Sequence, residues 1–340
     1  MTESTTRRVF LQQAAGAAAA SQLAERVLAG TSDASPTGVP TRELGRTGER
    51  VSIVCLGGWH IGTLEDDSEA LRLVQAAVDE GMTFMDNAWE YHRGRSEELM
   101  GRALAADGRR KKAFLMTKNC SRDYEGSKKH LEDSLRRLRT DVVDLWQFHE
   151  IIYDNDPEWI FEKGAMKAAL EARQEGKVRY IGFTGHKHPS IHLRMLEKPF
   201  DWDAAQMPVN VLDTRYRSFQ KEVVPACLRK GVGVLGMKAL GGGSPDGIIA
   251  AGTGLVPADC YRFALSQPVS SQVMGLRTLE QLRAAVALAR AFTPMSEAEQ
   301  AALVARIAPE AGDGRYELFK STQAFDGPVH REQHGFPRQS

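Results

Sequence analysis

From Val51 onward the chain alternates short runs of β-branched and apolar residues with longer stretches of helical periodicity, an order that repeated strand-helix units on a parallel sheet require. The runs are VSIVCLG from Val51, TFMDN from Thr83, AFLMTK from Ala113, VVDLWQFH from Val142, VRYIGFT from Val178, DAAQMPVN from Asp203, VGVLGMK from Val232 and SSQVMGL from Ser270. Between them lie segments such as SEALRLVQAAVDEG, SEELMGRALAADG, KKHLEDSLRRLR and LEQLRAAVALARAF, several opening on a Ser or Thr cap and stopping at Gly. Eight such strands predict closure into an α/β (β/α)₈ TIM barrel rather than an open doubly wound sheet, and no GxGxxG follows the first strand. The chain of 340 residues suits one barrel over 41–311, with SEAEQAALVARIA near Ser296 as an added C-terminal helix. The tail, 312–340, has no clear period; its Tyr316, Phe319, Phe325 and Phe336 predict that it packs near the barrel mouth.

The first forty residues read differently. Arg7 and Arg8 precede Val9, Phe10 and Leu11, and an alanine-rich stretch from Ala14 to Ala20 follows, which resembles a twin-arginine export signal over 1–30 with a Ser/Pro/Gly linker over 31–40. The expectation is export by the Tat machinery to the periplasm, with cleavage around Ala18 to Ser21 or around Leu28 to Gly30. Lysine plus arginine and aspartate plus glutamate balance at 44 each, so nothing steers the chain to nucleic acid or anionic lipid. The expected partner is a small molecule. Cys55, Cys120, Cys227 and Cys260 are too scattered for a metal or redox motif and read as buried thiols. After the first thirty residues no apolar run nears the ~18 needed to cross a bilayer, so no stable membrane insertion is expected.

In a barrel of this kind catalytic groups project from the carboxyl ends of strands. Asp86 closes the second run, Tyr91 follows in DNAWEY, Lys118 closes the third and His149 closes the fourth. Singly, each has an ordinary reading as a helix cap, a packed ring or a side chain reaching water. On consecutive strands they make a chemical set: an ammonium (Lys118), held by a carboxylate (Asp86), lowers the pKa of a phenol (Tyr91), while an imidazole (His149) donates to the same oxygen.

With these residues the chain resembles the aldo-keto reductase superfamily from Thr41 to about Arg290, on RELGRTGERVSIVCLGG, DNAWEY and GRSEELMGRAL. The resemblance implies Tyr91 as general acid with Lys118, Asp86 and His149 in support. It also implies hydride transfer between a carbonyl or alcohol, a sugar among the candidates, and NADP(H), with NAD(H) not excluded. By position it places Gly58, Trp59 and Asp86 near the nicotinamide and Thr184 and Gln206 at its carboxamide. The KALGGG loop (Lys238, Ala239, Leu240 and Gly241 onward) would follow the pyrophosphate, and GLRTLEQLRAA (Gly275, Arg277, Gln281) the adenosine phosphate. Three positions depart from the family: Thr184-Gly185-His186 stands for Ser-Asn, Met237 for an aromatic residue that stacks on the nicotinamide, and Gln281 for an arginine that Arg277 replaces. His186 and His188 in GHKHP invite a metal reading, but no carboxylate or third histidine lies beside them, and the Gly/Pro loop predicts exposure. A nicotinamide-binding sensor or regulatory barrel without turnover is the alternative function; a metal-dependent hydrolase lacks a ligand set.

Overall fold

In the computed structural model, which describes residues 22–32, 37–242, 249, 253–307 and 312–338, eight parallel strands close into a barrel. Two further strands precede it, so β1 is Thr41–Glu43 and β2 is Arg50–Ser52. The barrel strands are β3 (Val54–Gly57), β4 (Phe84–Asp86), β5 (Phe114–Asn119), β6 (Val143–Phe148), β7 (Val178–Thr184), β8 (Ala204–Pro208), β9 (Gly233–Met237) and β10 (Ser271–Met274). Each pairs in parallel with its chain neighbour, and β10 closes on β3 through Gln272, Val273 and Met274 against Val54, Cys55 and Leu56.

The first predicted strand divides in two. Val51 belongs to a hairpin in which β2 pairs antiparallel with β1, and the barrel strand begins at Val54. The division follows from hydrogen bonding: Ile53 N–H turns to Pro40 O, while Ser52 Oγ accepts from the N–H groups of Thr83 and Phe84. The hairpin plugs the amino-terminal end. Leu44 and Val51 join Cys55, Phe84, Phe114, Met116, Leu145, Ala204 and Leu235 in a packed interior cluster. Buried Arg42 bonds the carbonyls of Val269 (2.7 Å) and Leu265 (2.9 Å). Upstream, Leu23, Ala24 and Val27 pack against the outer core. The residues carrying the arginine pair lie outside the described ones.

Helices cover the strands by burying one stripe each. The helix Asp67–Glu80 buries Ala70, Leu73, Val74, Ala77 and Val78, three or four residues apart, and each fully buried Leu or Val contributes about 1.5–3 kcal/mol. Its cap is Asp66, which accepts from Ser68 N, and it stops at Gly81, whose φ of 101° is left-handed. After the barrel, Glu297–Arg306 forms a helix with a Ser296/Glu299 capping box. Two short helices, Leu318–Ser321 and Pro328–Gln333, follow in the tail. The tail is pinned by Lys320, fully buried between Asp213 (2.6 Å) and Glu317 (2.9 Å), and by Phe319, also fully buried. Among the described residues no helix is long and apolar enough to cross a membrane.

Candidate active site

A cavity of about 1070 Å³ opens at the carboxyl ends of the strands, with the tail residues Ala324 to Val329 and Arg338 on its rim. Alternation along each strand decides which side chains enter it. Phe84, Met116 and Leu145 fill the barrel interior. Residues two further on face the same way one layer higher, which delivers Asp86 and Lys118 to the cavity, while His149, four beyond Leu145, reaches it just past the end of β6. Tyr91 arrives on the turn Tyr91–Gly94 after β4.

Lys118 spends all three ammonium hydrogens inside this site: on Asp86 Oδ1, on Asn87 O (2.6 Å) and on Tyr91 OH (3.2 Å). Its ammonium also lies 4.7 Å from the Tyr91 ring centre. Burial raises the Asp86 carboxyl although Lys118 opposes it. The phenol corrects the expectation from sequence: burial first, then the charges of Asp86, Glu150 and Glu90, push Tyr91 well above 10. In this arrangement Tyr91 is a proton holder and hydrogen-bond donor. His149 is pushed well below 6.5, first by burial and then by Lys118, Arg122, His186 and Lys238, so its ring is neutral at pH 7.

The other expected residues divide into lining and support. Trp59 stands on the rim, 49% exposed and edge-on to Tyr91 with ring centres 5.4 Å apart. Thr184 and Gln206 are register partners on β7 and β8 and line the wall with Met237, Lys238, Ala239, Leu240, Gly275 and Arg277. Three lie behind it. Gly58 backs the Asp86 loop, where a Cβ would come within 2.5 Å of Asp86 O. Gly241 turns the loop with φ +78°, and Gln281 accepts from Arg277 N at 2.8 Å. The rest of the KALGGG loop, from Gly243, lies outside the described residues. Lys238 and Glu150 both hold positive φ, 58° and 46°, a conformation costly for residues with a Cβ and concentrated at working sites.

The predicted exposure of His186 does not hold. His186 is buried, with Nε2 4.0 Å from Asp326 Oδ1 of the tail, while His188 caps the helix Pro189–Glu197. A polar cluster escaped the sequence reading: Glu90, Glu150, Cys120, Arg122 and His330 gather around His149. Ligand atoms of Glu90, Cys120, His149 and His330 all lie within 4.8 Å of one another. Glu90 and Glu150 are chain neighbours of Tyr91 and His149, a signal that was present; His330 enters from the far end of the chain and gave none.

A family model described as the aldo/keto reductase family matches residues 53–248. The chain is 34% identical over 226 residues to the uncharacterized oxidoreductase YrpG of Bacillus subtilis, covering 59% of this chain and 66% of that protein. It is 30% identical over 243 residues to an aldo-keto reductase of Alternaria alternata, covering 59% and 65%. It thus spans slightly under two thirds of both relatives. Among solved structures, the holo form of an aldo-keto reductase from Bacillus halodurans superposes with a TM-score of 0.65 at 24% identity, over 78% of this chain and 95% of that one. That likeness carries the fold alone.

Proposed function

The chain belongs to the aldo/keto reductase family, and from that premise we propose that it is a catalytically competent oxidoreductase moving hydride between a nicotinamide dinucleotide, NADP(H) first, and a carbonyl or alcohol. The observation that carries this is the chain of contacts Asp86–Lys118–Tyr91, with His149 5.6 Å from Tyr91 between ring centres.

The residues present fit the dinucleotide at an unpaired buried donor that lines the cavity. Arg277 lines the cavity, yet its Nε is buried without a hydrogen-bond partner among the described residues, an orphan donor that a phosphate satisfies. Met237, Lys238, Ala239 and Leu240 would hold the pyrophosphate side, and Thr184 and Gln206 the carboxamide. Bound, the dinucleotide supplies hydride donation or acceptance. The protein's share is to hold the substrate oxygen with the Tyr91 hydroxyl, fix that hydroxyl through Lys118 and Asp86, and exclude water with Trp59 and the tail. The test is Tyr91→Phe assayed by single turnover across a panel of carbonyls, alcohols and sugars, with nucleotide binding measured separately.

We further propose that the protein is exported folded by the twin-arginine route and acts in the periplasm with a cofactor that does not exchange. Retention for hours needs an off-rate near ~10⁻⁴ s⁻¹, which with an on-rate of ~10⁶ M⁻¹s⁻¹ means a Kd of ~0.1 nM, about −14 kcal/mol. Such an enzyme alternates oxidation and reduction on paired substrates, sugars being suitable ones. Packing of Leu23, Ala24 and Val27 on the core and the bond from Arg50 to Gly30 O (2.7 Å) support cleavage near Ala18 to Ser21. Mature protein purified without added nucleotide should carry it and resist exchange with labelled NADP(H); empty protein turning over with external NADPH would sink the retention proposal.

A further inference from the structure

Three consecutive strand ends and the tail bring four metal-type ligands together. Glu90 follows β4, Cys120 and His149 stand directly after β5 and β6, and His330 comes from the tail helix Pro328–Gln333. Zinc bonds of ~2.3 Å to sulfur and ~2.0–2.2 Å to nitrogen or oxygen, at tetrahedral angles, set neighbouring ligand atoms roughly 3.3–3.7 Å apart. Here Cys120 Sγ and His149 Nδ1 are 3.5 Å apart, His149 Nδ1 and Glu90 Oε1 3.1 Å, and Glu90 Oε1 and His330 Nε2 3.8 Å. One ligand atom from each of the four lies within 4.8 Å of all the others, so the widest edge exceeds the tetrahedral one by about 1 Å at most. We propose that Glu90, Cys120, His149 and His330 bind one Zn²⁺ ion, which staples the tail to the barrel in the wall of the cavity.

Unpartnered atoms point to the same place. His330 is fully buried, and its Nε2 has no hydrogen-bond partner among the described residues; neither has Glu90 Oε2. A buried polar atom left unpaired carries the full cost of losing water, and coordination to an ion removes that cost. Arg122 does not compete for the ring. Its Nη2 gives its hydrogens to His149 O (2.7 Å) and Glu150 O (3.0 Å) and comes only within 3.4 Å of His330 Nδ1, which leaves Nε2 free to ligate. The Arg122 charge is met by Asp156 at 2.8 Å, so this neighbouring cation is already neutralised.

The donor set selects the metal. A thiolate with two imidazoles suits zinc and disfavours magnesium and calcium, which take oxygen ligands. As the ion enters, the Cys120 S–H bond breaks, its proton leaves to solvent and the S–Zn bond forms, with no change of oxidation state. Thiolate and Glu90 carboxylate then cancel the two charges of the ion, so the buried centre is neutral overall. Four protein ligands close the shell, which makes the centre structural and leaves no position for an attacking water. Glu90 and His149 belong to the cavity lining and Cys120 and His330 do not, which sets the ion in the wall between barrel and tail. Ligation through Nδ1 leaves the His149 hydrogen on Nε2, so the ion and the ring's proposed donor role coexist.

The experiment uses the full chain without a histidine tag, stripped by chelator and titrated with Zn²⁺ or, as a spectroscopic probe, with Co²⁺. The wild type should take up one equivalent of either, cobalt giving a thiolate-to-metal charge-transfer band and the intense visible bands of a tetrahedral ion, and zinc should raise the melting temperature. Cys120→Ser should lose the charge-transfer band. His330→Ala should keep it, because the thiolate remains. Both variants should bind zinc at least about tenfold more weakly, the least that losing even an outer partner of a bound metal costs, and should lose the zinc-dependent rise in melting temperature; circular dichroism of the metal-free proteins checks that each is folded. A wild type that takes up no zinc, a cobalt complex without the thiolate band, or variants that bind zinc as tightly as the wild type would overturn the proposal. None of these readouts depends on turnover, so failure of the oxidoreductase reading would leave them unchanged.

Discussion

Replacing Lys118 by Met removes the ammonium that holds Asp86, Asn87 O and Tyr91 OH together while keeping most of the stem volume. Asp86 is 4% exposed and Lys118 1%, so the carboxylate would be left buried without its cation, a loss of about 3–5 kcal/mol in comparable cases. Proton uptake sets a ceiling. An unfolded carboxyl with pKa 3.8 is protonated at pH 7 for about 3.2 × 1.36, or ~4 kcal/mol, so the penalty cannot rise above that value. The sign follows: burial raises the folded pKa of Asp86, so the destabilisation is full above that value and vanishes as pH falls through 3.8. Urea midpoints should therefore show a deficit of ~3–4 kcal/mol at pH 7 that closes near pH 4. The double variant Asp86→Asn/Lys118→Met, which buries no lone charge, should regain most of the stability at pH 7. It should still lack turnover, because the hold on Tyr91 is gone. A Lys118→Met protein equally destabilised at both pH values, or a double variant with normal turnover, would refute this account of the pair.

Tyr91→Phe should lower the single-turnover hydride step by ~10²-fold or more with nucleotide affinity nearly unchanged, checked by stopped-flow and calorimetry. Removing the chain after Lys320 keeps the buried Asp213–Lys320–Glu317 cluster and takes away Asp326 and His330, so substrate preference should change while the fold persists; identical kinetics on every substrate would deny the tail a role. Because the Glu150 carboxyl is raised to about 8 from 4.5, wild-type stability should fall as pH rises across that interval, and urea midpoints of Glu150→Gln should lose that slope. Arg277→Ala should weaken NADP(H) more than NAD(H), measured by titrating both into nucleotide-free protein.

The barrel was legible because strand and helix periods are local properties of the chain: most positions of the eight runs are buried on both faces, and each helical stretch carries its own stripe and stop, as Ala70 to Val78 before Gly81 show. The hairpin hidden in VSIVCLG was not legible, since the turn at Ile53 depends on Pro40 and on N–H groups thirty residues downstream. Asp86, Tyr91, Lys118 and His149 could be read because strand ends are sequence positions, and the barrel rule turns such positions into a place. Their protonation could not. Tyr91 was expected to be an eased acid and is held well above 10, first by burial and then by the acidic groups Asp86, Glu150 and Glu90, neighbours known only once the chain is folded.

The sequence by itself thus determined the eightfold alternation and the four strand-end groups, since both follow from periodicity along one short stretch at a time. Only the tertiary structure decided what surrounds them. It brought Glu90 onto His149, Glu150 under Gly327, and His330 across from a tail 181 positions beyond His149. Burial and electrostatic coupling depend on distance through space, which residues remote in sequence acquire only when the chain closes on itself.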